Sequence, residues 1–296
     1  MPFYKQLIYK LLGVFVFSGI IMVVYGQKRK RTSVRVEQIP DFPSKALGRD
    51  VVLEVFLPPG YSSSQERYRV LYLNDGQDAQ ALRLQQTLDS LHRQKSIAPL
   101  LVVAIHAGDR LQEFGTASAL DYKRRGSKAG AYTSFVTEEL VPYVNSRFRT
   151  LTEPAHTAFA GFSLGGLSTL DMVWHHPEIF GKVGVFSGSL WWRTKAQDDG
   201  YVDGDRIMHR LIRTGPKKEG LKFWFEAGTR DETSDRNHNG IIDSIEDTLD
   251  LIAELDRKGY NTLQAVTYVQ VEGGEHNQKT WGEVMPTFLV WAFGQK

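Results

Sequence analysis

The sequence has no cysteine among its 296 residues. That excludes disulfides, thiolate metal sites, a cysteine nucleophile and a lipid-modified cysteine anchor, and it leaves the redox compartment unread. The chain also lacks an excess of either charge, with 36 Lys and Arg against 34 Asp and Glu. Two of the basic residues, Lys5 and Lys10, fall in an N-terminal segment that reads as a targeting signal; without them the remainder carries 34 of each sign. No electrostatic footprint for nucleic acid survives, so no nucleic-acid partner is expected. No internal repeat, low-complexity tract or linker interrupts the chain. Long hydrophobic runs are missing beyond the N-terminus, which excludes a multispan membrane protein. What is present, 42% hydrophobic, 11% aromatic and 24% charged residues, suffices for the core of one domain of about 270 residues.

Residues 11–25 form an uncharged apolar run behind Lys5 and Lys10. The run is short for a membrane span and has the n-region and h-region order of a secretory signal. Val24 and Gly26 offer small side chains where a signal peptidase reads. Lys28-Arg29-Lys30-Arg31 pulls the other way, because positive charge there holds that side in the cytoplasm. The expectation is a signal peptide or membrane anchor over residues 1–26, with export to the periplasm or medium. An N-terminal anchor facing the cytoplasm is the alternative. Residues 27–49 then hold a basic segment and the first strand, and residues 50–296 the main domain.

Strand-like and helix-like patterns alternate along that domain. Residues 33–37 and 51–57 alternate apolar with polar and predict antiparallel strands, the second ending at Pro58-Pro59-Gly60. Residues 69–73 and 100–105 are continuous apolar runs, the pattern of strands covered on both faces. Further strands are predicted at 157–162, 183–186, 221–225 and 266–271. Helical periodicity falls at 79–91, 132–144, 164–174 and 244–258, with Gly259 as a C-cap, and at 281–293, interrupted by Pro286. This order predicts an α/β fold with a mostly parallel central sheet, antiparallel N-terminal strands and helices on both faces.

Gly161-Phe162-Ser163-Leu164-Gly165-Gly166 matches G-x-S-x-G, a common pentapeptide by itself. Its setting is informative: an apolar strand runs in and an apolar helix runs out, as a nucleophile elbow requires. A serine hydroxyl is nearly inert at neutral pH, so it needs a base, and the base needs an orienting carboxylate. In this arrangement both follow the serine, acid before histidine. His276 lies in a Gly-rich loop, Gly273-Gly274-Glu275-His276, directly after the last strand, whereas the other later histidines sit in helices or a polar loop. Asp231 lies just beyond the strand at 221–225, with Glu232 as the alternative acid. The oxyanion needs backbone donors. The amide of Leu164 is one, and that of Gln77, in Asn74-Asp75-Gly76-Gln77 after the third strand, is the other candidate.

Together, Tyr72 to Gln77, the Ser163 elbow, the Gly228 turn and His276 resemble the esterase D/enterochelin esterase-like family over about residues 51–293. That α/β-hydrolase group also contains feruloyl and acetylxylan esterases and mycolyltransferases. The resemblance implies Ser163 as nucleophile, His276 as base and a carboxylate of the Asp231-Glu232 pair as orienter. It implies a serine carboxylic-ester hydrolase working through an acyl-enzyme, with no cofactor for catalysis. Its substrate would be a small-molecule or glycan ester: carbohydrate-linked, aromatic-acid or siderophore. Cytoplasmic enterochelin esterases carry a further N-terminal domain, for which too few residues are expected here, so the siderophore is one option among several. Acyl transfer at the same site, or a noncatalytic calcium- or carbohydrate-binding relative, are the alternatives. No obligate protein partner is expected.

Two further patterns stand beside the motif. Residues 235–246 fit D-x-N-x-N-G-x-I-D-x-x-E, with calcium-type donors at Asp235, Asn237, Asn239, the Ile241 carbonyl, Asp243 and Glu246, and Gly240 at the sharp turn. A structural Ca2+ there would fix the acid-bearing turn; the competing reading is a polar turn that caps the next helix. Trp191 and Trp192 follow the strand after the elbow and are candidate substrate contacts, with packing on the core as the competing role. Tyr122, beside Lys123, Arg124 and Arg125, is a candidate rim residue for an anionic substrate, or ordinary solvated surface.

Overall fold

The computed structural model describes residues 33–261 and 263–295. The expected signal or anchor at 1–26 and the basic tetrad lie outside those residues. No helix of the described residues is long and apolar enough to cross a membrane.

The chain opens with a hairpin, β1 (Arg35–Ser44) and β2 (Arg49–Leu57). It continues through β3 (Arg69–Asn74), α1 (Leu84–Arg93), β4 (Leu100–Ile105) and the short α2 (Arg110–Glu113). Next, α3 (Ala129–Ser134) passes through a π-helical turn at Phe135–Leu140 into α4 (Val141–Arg147). The elbow follows, β5 (Thr157–Phe162) into α5 (Leu164–His175), then β6 (Lys182–Phe186) and α6 (Ile207–Thr214). The chain closes with β7 (Lys222–Arg230), α7 (Asp243–Arg257), β8 (Val266–Glu275) and α8 (Gln278–Phe293).

The eight strands form one sheet in the order β1-β2-β4-β3-β5-β6-β7-β8. The first two pairings, β1 with β2 and β2 with β4, are antiparallel, and the remaining pairings are parallel. This confirms the α/β fold expected from the sequence. The inner strands are apolar through most of their length because both faces are covered. Val70, Tyr72 and Phe159 pack with α3 to α7 on one face, while Leu71, Leu73, Ala160 and Phe162 pack with α1 and α8 on the other.

Three of the differences from the sequence reading have a local reason. Strand β1 runs on to Ser44 past Pro40 and Pro43, with a register shift between Ile39 and Phe42. An edge strand tolerates proline because its outer N–H groups have no strand to pair with. Helix α1 starts at Leu84 rather than 79, because Arg83 takes a left-handed conformation, φ 54°. Helix α8 continues through Pro286. The buried stripe Trp281, Val284, Met285, Phe288 and Leu289 packs against the sheet on both sides of the proline, which offsets the one lost backbone bond.

Candidate active site

Sterics at the β5–α5 turn account for its glycines. Ser163 sits at φ 55° and ψ −119°, a conformation that side-chain-bearing residues rarely adopt. The chain doubles back so tightly that a Cβ on Gly161 would lie 2.4 Å from the Gly165 carbonyl oxygen. A Cβ on Gly165 would lie 2.6 Å from Asp75 Oδ2. Strain of this kind persists only where surrounding structure holds it. Here the Ser163 amide donates to the Phe186 carbonyl at 2.9 Å and its carbonyl accepts from the Ser189 amide at 3.1 Å. Leu164 begins α5, so its amide lacks an intrahelical partner and points outward with the positive end of the helix dipole.

Beneath the elbow lies an ion pair, buried on its acid side, that the sequence did not disclose. Asp75, 1% exposed, accepts from Arg110 Nε at 2.7 Å and Nη2 at 3.0 Å. Arg110 Nη2 also donates to the Phe162 carbonyl at 3.0 Å. Asn74, fully buried, donates to the Gly165 carbonyl at 3.1 Å and accepts from the Tyr132 hydroxyl at 2.5 Å. The loop after β3 therefore braces the turn that carries Ser163.

Two more glycines bring the acid and histidine loops together. A Cβ on Gly228 would lie 2.4 Å from the Gly274 carbonyl oxygen, so the ends of β7 and β8 touch backbone to backbone. The Gly273 amide also donates to Thr229 Oγ1 at 2.8 Å. His276 directly precedes Asn277, which caps α8 by accepting from the Thr280 amide at 3.1 Å. The imidazole meets the edge of Trp281, with ring centres 5.2 Å apart and planes at 80°. Trp281 stacks on Phe162 at 5.0 Å and donates its indole N–H to Ser187 Oγ at 2.9 Å.

These loops enclose a pocket of about 310 Å³ lined by Ser163, Leu164, Ser189, Trp191, Asp231, Glu232 and His276, among others. Ser163 Oγ lies 3.3 Å from Ser189 Oγ. Among the described residues no hydrogen bond joins Ser163 to His276 or His276 to Asp231. The pocket gathers these side chains without hydrogen bonds between them. Burial pushes the Asp231 carboxyl up, against the opposing pull of the nearby Ser187 hydroxyl and of His276. Burial holds the His276 imidazole below its ordinary value; the Asp231 charge opposes this and Arg110 adds to it. Glu232 is also raised by burial, but it is Asp231 whose charge acts on His276.

The remaining candidates separate. Trp191 lines the pocket, with the Arg125 guanidinium 4.9 Å over its ring. Trp192 is a correction to the reading of a paired tryptophan wall: it is fully buried. Its ring fills the space beside Gly115 and Gly126, at 2.8 and 3.0 Å from where their Cβ atoms would be. Tyr122 is half-buried under Arg193, 5.1 Å from its ring, and is not among the lining residues of this pocket. Nor is Gln77, whose side chain donates to Asp75 and accepts from the Ala107 amide.

The loop at 235–246 is folded on itself. Asp235 accepts from the amides of Asn239 and Gly240 at 3.1 and 2.8 Å. Asn237 and Asn239 each donate to Glu246 Oε1 at 2.7 Å. Arg236 reaches Asp243 and Glu246 at 3.5 and 3.6 Å and pairs with Asp247. Among the described residues no three His, Asp or Glu side chains are grouped as a metal site.

Sequence reasoning missed Ser189, Arg110 and Glu226. The first was visible as a hydroxyl in Ser187-Gly188-Ser189, and Glu226 as a lone carboxylate in an apolar strand. Nothing in the sequence marked Arg110.

The chain can now be placed among known proteins. The family model described as "Putative esterase" matches residues 44–292. The chain is 24% identical over 245 residues to the uncharacterised protein YbbA of Bacillus subtilis, covering 81% of this chain and 92% of YbbA. It is 27% identical over 215 residues to an endo-1,4-beta-xylanase/feruloyl esterase of Xylanibacter ruminicola, covering 69% of this chain and 28% of that protein. Among solved structures, the enterochelin esterase of Shigella flexneri superposes with a TM-score of 0.68 at 25% identity, over 87% of this chain and 57% of that one. The chain thus spans little over half of that esterase and under a third of the xylanase. With its sheet order, its strained Ser163 turn and a family model that spans most of its length, the chain belongs to the Putative esterase family of carboxylic-ester hydrolases, built on the α/β-hydrolase fold.

Proposed function

We propose that the chain is a serine esterase in which Ser163 attacks the ester carbonyl and forms an acyl-enzyme. One observation carries this reading: Ser163, strained at φ 55° at the head of α5, shares a pocket of about 310 Å³ with His276 and Asp231. His276 takes the hydroxyl proton and returns it to the leaving alcohol; water then repeats the cycle and releases the acid. Asp231 orients the imidazole and stabilises its charged form. Its direct electrostatic effect on His276 favours it over Glu232. The Leu164 amide, at the start of α5 and in the pocket lining, supports its role as an oxyanion donor.

The acyl group is carbohydrate-linked, aromatic or of siderophore type. Support comes from the aromatic wall of Trp191 and from relatives whose names carry feruloyl esterase and enterochelin esterase. A fluorophosphonate probe should label the wild-type protein and leave Ser163→Ala unlabelled. Equal labelling of the two refutes Ser163 as nucleophile. Hydrolysis of acetyl-xylan, feruloyl esters, siderophore lactones and short p-nitrophenyl esters then ranks the substrates.

A further inference from the structure

Strand β7 carries one acid that the reaction does not use. Glu226 lies among Phe225, Trp224 and Ala227 and is 1% exposed. Its Oε2 accepts a long hydrogen bond from Ser187 Oγ at 3.4 Å, and its Oε1 is buried without a partner. None of the ion pairs among the described residues involves it. A buried carboxylate without a cation or strong donors is costly, and such a group neutralises itself by keeping its proton.

The neighbourhood is short of donors. Glu226 Oε1, both oxygens of Asp231 and Glu232 Oε1 have no close hydrogen-bond partner; the donors that reach the cluster are the Ser187 hydroxyl, shared between Glu226 and Asp231, and the backbones of Gly228 and Ser244. Asp231 stands beyond the end of its own strand, and Ser187 follows β6. Tyr268 on β8 is close enough for the charges of Glu226 and Asp231 to raise its phenol. On α8, Trp281 donates to the same Ser187 hydroxyl and meets the edge of His276. None of these brings a positive charge except His276 when protonated.

We propose that Glu226 is a positioning residue that keeps its proton at neutral pH, so that Asp231 is the single anion serving His276. The inference rests on the serine-esterase reading of the site. A second ionised carboxyl beside Asp231 would push that carboxylate away from the imidazole; a neutral one leaves it in place and adds a donor where acceptors are in surplus. Burial, reinforced by the Asp231 charge, raises Glu226 to about 8, which puts its ionisation within reach of a pH-rate profile.

The test compares kcat/KM for p-nitrophenyl acetate in wild type and Glu226→Gln from about pH 5 to about pH 10. Wild type should fall about three- to ten-fold as Glu226 ionises on the alkaline side. In Glu226→Gln, which cannot ionise, that fall should be absent while the acid limb from His276 remains. A purely structural glutamate would change the size of kcat/KM but not the shape of its profile, so superimposable profiles overturn the proposal. A second measurement needs no turnover and survives a variant that fails to fold. In full-length Ser163→Ala/Glu232→Gln with 13C-labelled glutamate, which removes the other raised glutamate, the infrared carbonyl band of a protonated carboxyl should persist at neutral pH and disappear in alkali. Its absence at neutral pH overturns the proposal even if Ser163 proves catalytic, and its presence upholds the protonated Glu226 even if Ser163 does not.

Discussion

Replacing Arg110 tests whether the pair beneath the elbow holds the site together. Arg110→Met keeps much of the side chain's length and removes the guanidinium. Asp75, 1% exposed, then loses the bonds at 2.7 and 3.0 Å and keeps only the Gln77 side chain, at 3.2 Å. Breaking a fully buried pair from one side costs about 3–5 kcal/mol; because Arg110 is 35% exposed and water can reach the gap it leaves, the cost here is about 2–4 kcal/mol. For a chain of this size that lowers Tm by about 4–8 °C. Burial already raises Asp75 above its ordinary value with Arg110 present, so the variant raises it further. A carboxyl raised in the folded state stabilises the fold below its unfolded pKa and loses that contribution as pH rises through the folded value. The deficit should therefore fade as pH is lowered toward about 4. Asp75→Asn combined with Arg110→Met should recover a large part of the loss. Thermal melts across pH decide the matter. A Tm within about 2 °C of wild type at neutral pH, or a double variant no better than the single one, refutes the reasoning.

Three further outcomes are expected. The acid limb of kcat/KM should lie below the ordinary histidine value of 6.5, since His276 is depressed, and Asp231→Asn should move it lower by removing the charge that supports the protonated ring; a limb above 6.5 in wild type contradicts this. Gly161→Ala puts a methyl 2.4 Å from a backbone oxygen and should cost roughly 1–3 kcal/mol with loss of activity; an unchanged melt with full turnover would show that the turn opens freely. On the calcium reading of residues 235–246, EDTA should lower Tm and weaken activity while fluorophosphonate labelling persists. Melting unaffected by EDTA and by added calcium would leave Arg236 as the cation that neutralises this loop.

The parts legible in the sequence were those fixed by local pattern. The apolar runs of β3, β4 and β5 could belong only to strands covered on both faces, and the glycines around Ser163 marked a turn with no room for side chains. Chain order singled out His276 from the histidines, and the fold brings it into the same pocket as Ser163. What stayed hidden depends on partners distant in sequence. Arg110 lies 35 residues from Asp75 and 52 from Phe162, in a helix of four residues with no periodicity of its own. Trp191 and Trp192 are adjacent and identical in type, yet one lines the pocket and the other fills the gap beside Gly115 and Gly126. Pro286 suggested a break in the last helix because the energy that carries α8 across it comes from the sheet beneath. The second carboxyl, Glu226, was visible as a residue, but its lack of an ion-pair partner among the described residues could emerge only from the packed sheet.

The pocket's size limits how this protein can meet a bulky substrate. At about 310 Å³ it stands at the low end of ligand cavities, which run from roughly 300 to 1,000 Å³. A site of that size, half-open to solvent, holds only part of a bulky ester, so the remainder must rest on the surface around the opening. A polymer or macrocycle need not be swallowed to be trimmed. The surroundings of the opening then share in selecting the ester.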